Sequence, residues 1–168
     1  HNVPTQWFRT DHADALRPKV DALAETVEIV CERKIERFPV RFTGRETRPV
    51  GPVVIVAVDS IEERAKIWAG LKERSDVRLL IDARMGAEVV DIHSVVMGKD
   101  ALGPYEESLH DPSDGFHCPC TGRSIVYTSL GAGAFVCSLF RSFAVGHPFP
   151  RHVAFDFANF LVETSLEA

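Results

Sequence analysis

The stretch Val53-Val54-Ile55-Val56-Ala57-Val58-Asp59-Ser60 decides the fold class of this 168-residue chain. Its first six residues are apolar without alternation, which is typical of a strand buried on both faces of a parallel sheet. Asp59 follows at the carboxyl end, where open α/β sheets bind their ligands. Ser60 and Glu63 have the spacing of a capping box, so we predict a helix over residues 61–72.

The pattern continues toward the C-terminus. Residues 79–82 (Leu-Leu-Ile-Asp) predict a second buried strand that again ends in Asp, and residues 88–96 predict a third. Residues 97–123 are polar and rich in Gly, Pro, Asp and His, which predicts a long crossover loop. Residues 124–145 then predict an apolar helix, and residues 153–157 a last short strand.

On the N-terminal side, apolar residues at helical spacing between Leu16 and Cys31 predict an amphipathic helix, and residues 34–42 predict a strand. Alternating strands and helices define an α/β protein. We therefore predict a Rossmann-like, mostly parallel sheet with flanking helices, in a single domain over residues 1–168.

Composition restricts the function classes. The chain is 45% hydrophobic and 26% charged, as is ordinary for a soluble globular protein. Residues 124–145 form the longest apolar stretch, but glycines, Arg141 and Ser142 interrupt it, so no membrane span is predicted. A net charge of −5 argues against a general nucleic-acid-binding surface. Four cysteines without a signal peptide predict a reduced, cytoplasmic protein.

The cysteines divide into two groups. Cys120 follows the polar loop and precedes a predicted helix, where the helix dipole and Arg123 would favour a thiolate nucleophile, with Cys118 as the second choice. Cys31 and Cys137 are predicted to be buried small hydrophobic residues. An alternative for the loop region is a zinc site, whose candidate ligands are His93, His110, His117, Cys118 and Cys120.

Three charged residues near the predicted strand ends are candidates for structural contacts. Asp82 and Arg84 are predicted to form a structural ion pair, with a catalytic role as the alternative. Arg64 is the member of the charged 62–66 run that we expect to turn inward from its helix.

Five segments, in order along the chain, resemble the ThiF/MoeB/HesA family, the bacterial relatives of ubiquitin-activating enzymes. They are His1-Asn2-Val3-Pro4-Thr5-Gln6, residues 17–23, residues 54–64, residues 80–88 and residues 120–127. The resemblance implies an adenylyltransferase that binds ATP and Mg²⁺ and adenylates the C-terminus of a ubiquitin-like or sulfur-carrier protein. It further implies that a cysteine, here Cys120, then captures the activated carrier as a thioester. Family members are commonly homodimers, so a homodimer is expected.

The resemblance also implies roles for individual residues. Lys19 would neutralise phosphate charge during catalysis, and Asp59 would hold the Mg²⁺ that accompanies ATP. Asn2 and Gln6 would lie near the nucleotide. The arginine of the family's first segment is replaced by Thr5, and Arg9 is the nearby residue that would substitute for it.

The sequence departs from the family in one major way. It contains neither GxGxxG nor GxxxxGK[ST], and the family's glycine loop would lie before His1. The N-terminal βαβ unit that carries this loop is therefore predicted to be missing from the sequence. The alternative function is a non-catalytic or split-subunit binding module, which pairs with a chain bearing the glycine loop or docks a ubiquitin-like protein. A third hypothesis is adenylation of a small molecule or of a carboxylate linked to tRNA.

Overall fold

A computed structural model describes residues 17–100, 102–109 and 125–166, and its contacts divide the chain into two units, 1–41 and 42–168. In the first unit, helix α1 (Lys19–Cys31) begins after Pro18 and ends at Glu32, which has a left-handed φ of 53°. The strand predicted at 34–42 is wrong, because no residue there is in a strand. Ile35, Phe38 and Val40 are exposed, and no neighbouring strand among the described residues pairs with the backbone of this segment.

The second unit contains a five-stranded sheet whose strand order follows the chain. Its elements are β1 (Val53–Val56), α2 (Ile61–Leu71), β2 (Leu79–Gly86), β3 (Val89–Val96), α3 (Gly103–Glu107), α4 (Val126–Val145), β4 (His152–Asp156) and β5 (Leu161–Ser165). Strands β1 and β2 are parallel, with Val53 opposite Leu79, and α2 connects them. The predicted α/β class is therefore confirmed.

The prediction of a mostly parallel sheet is wrong, because only the β1–β2 pair is parallel and the other three pairs are antiparallel. The physical reason is the short connection between β2 and β3, in which Ala87 has a φ of 48°. A two-residue connection joins antiparallel strands, whereas a parallel pair needs a crossover. Strand β5 was not predicted, since all of its residues are exposed and lack a buried face.

Each helix of the second unit has a clear local cause. The Ser60 hydroxyl accepts a hydrogen bond from the Glu63 backbone N–H at 3.3 Å, which confirms the predicted cap of α2. Within the predicted 97–123 loop, Gly103–Glu107 form α3, with Pro104 in its first turn. The predicted apolar helix is confirmed as α4, which ends at Gly146 in the left-handed conformation.

The sheet has two buried faces. On one face, Leu80 and Val95 pack with the α2 residues Ile67, Trp68 and Leu71. On the other face, the apolar residues of β2 and β3 pack against α4, through Ala132, Val136 and Leu139 on the helix side. Because strand side chains alternate between faces, the polar residues that follow Leu80 at every second position lie on the α2 side.

Helix α4 is long and apolar enough, by length and composition, to cross a membrane. In this structure one side of α4 packs on the sheet, while Val126, Leu130 and Phe140 on its other side are exposed.

Candidate functional site

The first candidate site lies where the parallel strand β1 ends. Strand β1 stops at Val56, α2 begins at Ile61, and Asp59 lies in the exposed turn between them. Among the described residues, none forms a hydrogen bond or ion pair with the Asp59 carboxylate. The structure thus places Asp59 as predicted, at the carboxyl end of a parallel strand with an available carboxylate.

The Arg64 side chain connects this turn to the sheet through hydrogen bonds. Its side chain is buried, and it donates hydrogen bonds to the Val58 carbonyl, the Asp82 carboxylate and, at 3.1 Å, the Ala83 carbonyl. Arg64 therefore links the start of α2 to the turn that follows β1 and to the middle of β2, and its predicted inward orientation is confirmed. Burial lowers the pKa of Arg64 to about 10, so the guanidinium stays charged at neutral pH.

Asp82 is the centre of a buried polar network. It has no exposed surface, and it accepts hydrogen bonds from Arg64, from Arg84 Nε at 2.9 Å and from the Tyr105 hydroxyl at 3.1 Å. Arg84 also donates to the Ser108 carbonyl at 3.1 Å. The predicted structural pair of Asp82 and Arg84 is confirmed, and this network connects β2 to α2 and α3.

The second candidate site is a triad on the same side of the sheet, formed by Asp91 and His93 of β3 and His152 of β4. The register places His93 directly opposite His152. Asp91 Oδ2 lies 3.2 Å from His93 Nε2, and Asp91 Oδ1 lies 2.5 Å from His152 Nε2. The two imidazole rings lie 4.7 Å apart and are inclined by 32°.

Burial and hydrogen bonding have opposite effects on the pKa of Asp91, and likewise on the pKa of His93. Burial alone would raise the pKa of Asp91, but hydrogen bonds with His152 and His93 outweigh it and hold that pKa well below its ordinary value. Burial lowers the pKa of His93, and the hydrogen bond to Asp91 offsets this only in part. At neutral pH the triad therefore holds an ionised carboxylate beside a neutral His93 imidazole.

The remaining predicted site residues are not brought together by the described structure. Lys19 is exposed at the first position of α1, in the other unit. Asn2, Gln6, Arg9, His110, His117, Cys118 and Cys120 lie outside the described residues. The prediction that Cys31 and Cys137 are buried is wrong, because both are exposed. Cys31 is the last residue of α1, and Cys137 lies on α4 next to the inward-facing Val136.

Sequence reasoning missed two of the three triad residues, Asp91 and His152. A signal was present in β3, where Asp91 and His93 are two apart and so project from the same face of the strand. His152 had no such signal, because only the β3–β4 register brings it next to His93.

Comparison with known proteins adds no assignment: neither a scan of protein-family models nor a search of curated proteins finds a match for this chain.

Proposed function

We propose that this chain belongs to an adenylyltransferase that uses ATP to activate the C-terminus of a ubiquitin-like or sulfur-carrier protein. The observation that carries the proposal is the available Asp59 carboxylate at the end of β1, next to the start of α2. Ligands of open α/β sheets bind at this edge, beyond the carboxyl ends of the parallel strands. The proposed protein works in the cytoplasm, as a homodimer.

The donor chemistry at Asp59 fits the Mg²⁺ that accompanies ATP. Mg²⁺ prefers carboxylate oxygens and usually binds through one or two of them together with substrate phosphates. The Asp59 carboxylate is exposed and makes no hydrogen bond with a described residue, and the nearby Arg64 guanidinium donates its hydrogen bonds to other groups, so the carboxylate oxygens meet that requirement. When bound, the ion would supply positive charge to the phosphates during attack at the α-phosphorus.

At this site the main contribution of Arg64 is to hold the turn that carries Asp59 in place, rather than to supply charge. Arg64 donates to the Val58 carbonyl and to the Asp82 carboxylate at once, so the turn that carries Asp59 is fixed to β2. Fixing a metal-binding carboxylate in this way reduces the ordering cost when the nucleotide binds. Cys120 stays the proposed nucleophile and Lys19 the proposed phosphate contact, and a Cys120 variant tests the first of these roles.

Titration of MgATP into the full chain tests the proposal, with heat or a fluorescent ATP analogue as the readout. Asp59→Asn keeps the shape of the side chain but removes its charge, so we expect MgATP affinity to fall by about tenfold or more. Glu73→Gln is the matched control, because Glu73 is an exposed carboxylate near the opposite end of α2. Equal MgATP affinity in the Asp59 variant and the wild type would reject the role of Asp59.

A second candidate function is a binding module that pairs with a chain carrying the glycine loop. The observation that favours it is β1, which pairs only with β2 among the described residues and leaves Ile55 52% exposed. An open cleft of about 260 Å³ lies beside this strand, lined by Phe42, Arg48, Val50, Val53, Val54 and Ile55. An apolar edge strand with an unpaired backbone is a template for another strand. MgATP binding by this chain alone would count against the module and for the enzyme.

A further inference from the structure

The three side chains of the triad have the composition of a transition-metal site. Asp91, His93 and His152 each offer one ligand atom, and these three atoms lie within 4.8 Å of one another. Two imidazole nitrogens and one carboxylate oxygen form a donor set that suits Zn²⁺ and other first-row divalent metals. The set is chemically distinct from Asp59, whose lone carboxylate suits Mg²⁺.

The backbone holds these ligands on a rigid platform. β3 pairs with β2 on one side and with β4 on the other, so both strands that supply ligands are hydrogen-bonded in register. Asp91 and His93 project from the same face of β3, and His152 faces His93 from the neighbouring strand. Ligands on adjacent strands of a sheet are positioned more firmly than ligands on loops.

The distances between the three ligand atoms and the solvent exposure of their side chains both suit a metal ion. Tetrahedral Zn²⁺ with bonds of about 2.0–2.2 Å places its ligand atoms about 3.4 Å apart, so small side-chain rotations suffice from the present arrangement. The side chains are 24%, 18% and 34% exposed for Asp91, His93 and His152, so solvent reaches the cluster. An ion with these three ligands would keep an open coordination position on the solvent side.

The positive charge of Arg84 lies near the cluster and would repel a cation, but Arg84 is paired mainly with Asp82. Arg84 Nη1 lies 3.8 Å from Asp91 Oδ2, while the same side chain pairs with Asp82 at 2.9 Å and bonds Ser108. Arg84 is thus already committed to the buried Asp82 carboxylate. The Asp91 carboxylate is shared mainly with the two histidines, which are the ligands that a metal would use.

We propose that Asp91, His93 and His152 form a binding site for a divalent transition metal, with Zn²⁺ as the preferred ion. The site is independent of the proposed adenylation at Asp59. The ion has three protein ligands and a solvent ligand, which is the coordination pattern of an exchangeable or catalytic zinc rather than a closed structural one.

Equilibrium dialysis of the full chain against Zn²⁺, and separately against Co²⁺, tests this site. We expect the wild type to bind one equivalent, and His152→Gln to weaken that binding by at least about tenfold, since loss of even an outer-shell partner of a metal ligand costs about 10–100-fold. His147→Gln is the matched control, because His147 is an exposed histidine just before β4. It should bind Zn²⁺ as the wild type does.

Thiols are the main competing ligands, so a Cys118→Ser/Cys120→Ser double variant separates the two possible sites. The proposal requires this double variant to keep the bound equivalent. Absence of Zn²⁺ binding, unchanged binding in His152→Gln, or loss of the equivalent in the double variant would each overturn the proposal. Asp91→Asn serves as the second ligand variant if circular dichroism shows that His152→Gln does not fold.

Discussion

The buried carboxylate of Asp82 gives the most demanding stability prediction. Asp82 is fully buried between Arg64 and Arg84, and it also accepts a hydrogen bond from Tyr105. Asp82→Asn removes the one carboxylate that both arginines contact, while keeping the shape of the side chain. The guanidinium groups of Arg64, which is buried, and of Arg84, which is mostly buried, would then remain without this carboxylate.

The size of the effect follows from the contacts that are lost. Hydrogen bonds to charged groups contribute about 1.5–3 kcal/mol each, and Asp82 makes two of them with arginines. Removing one partner of a buried ion pair typically costs about 3–5 kcal/mol. Both routes predict that Asp82→Asn lowers the free energy of unfolding by about 4 kcal/mol, which is a large part of the 5–15 kcal/mol typical of a domain.

Urea unfolding followed by circular dichroism measures this change. With a typical slope of about 2 kcal/mol per molar urea, the midpoint should fall by about 2 M. Glu73→Gln, an exposed carboxylate on the same unit, should change the free energy of unfolding by less than about 0.5 kcal/mol.

A double variant, Arg64→Met/Asp82→Leu, sharpens the test. Replacing a buried pair by apolar residues is often neutral or stabilising, so the double variant should be more stable than Asp82→Asn. A loss below about 1 kcal/mol for Asp82→Asn would refute the reasoning, because the network would then contribute no more than an exposed ion pair.

Four further predictions test other parts of the structure. Gly70→Ala should destabilise the chain by about 1–3 kcal/mol in urea unfolding, because the added Cβ would lie 2.6 Å from a backbone oxygen. Gly133→Ala, also within a helix but in open space, should instead stabilise it by about 0.5–1 kcal/mol, and a loss there would contradict this account. The hydrogen bond from Arg74 lowers the pKa of Asp76 to about 2, so the stability advantage of the wild type over Asp76→Asn should be complete above about pH 4 and be lost as the pH falls through about 2; an advantage that is undiminished at pH 2 would exclude this linkage. Cys120→Ser should leave MgATP binding unchanged but abolish any reductant-sensitive conjugate with a carrier protein, and a persistent conjugate would assign the nucleophile elsewhere.

Local signals in the sequence predicted the centre of the fold well. The apolar run that begins at Val53 and the Ser60 cap were read from short windows, and the βαβ unit over β1, α2 and β2 follows from them. Two details were wrong: Ile55 of β1 is exposed, so this strand is not buried on both faces, and Asp82 lies within β2, which continues to Gly86. Arg64 was also assigned to the interior, as the structure confirms. These features depend on residues that are close in sequence, so they can be predicted from one sequence alone.

Long-range pairing explains what the sequence did not predict. The antiparallel direction of β3 depends on a left-handed φ at Ala87, a residue type that does not signal this conformation. Strand β5 pairs with β4 without a buried face, so no alternation marked it. His152 joins Asp91 only through the β3–β4 register, which brings together residues 61 positions apart.

Hydrogen–deuterium exchange on the full chain, with and without MgATP, tests most directly the claim that nucleotide binds where β1 ends. Exchange of backbone amides reports local opening, and a bound ligand slows it where it contacts the chain. The account predicts slower exchange over residues 57–63, around Asp59 and the first turn of α2. Unchanged exchange over these residues at saturating MgATP would contradict the account.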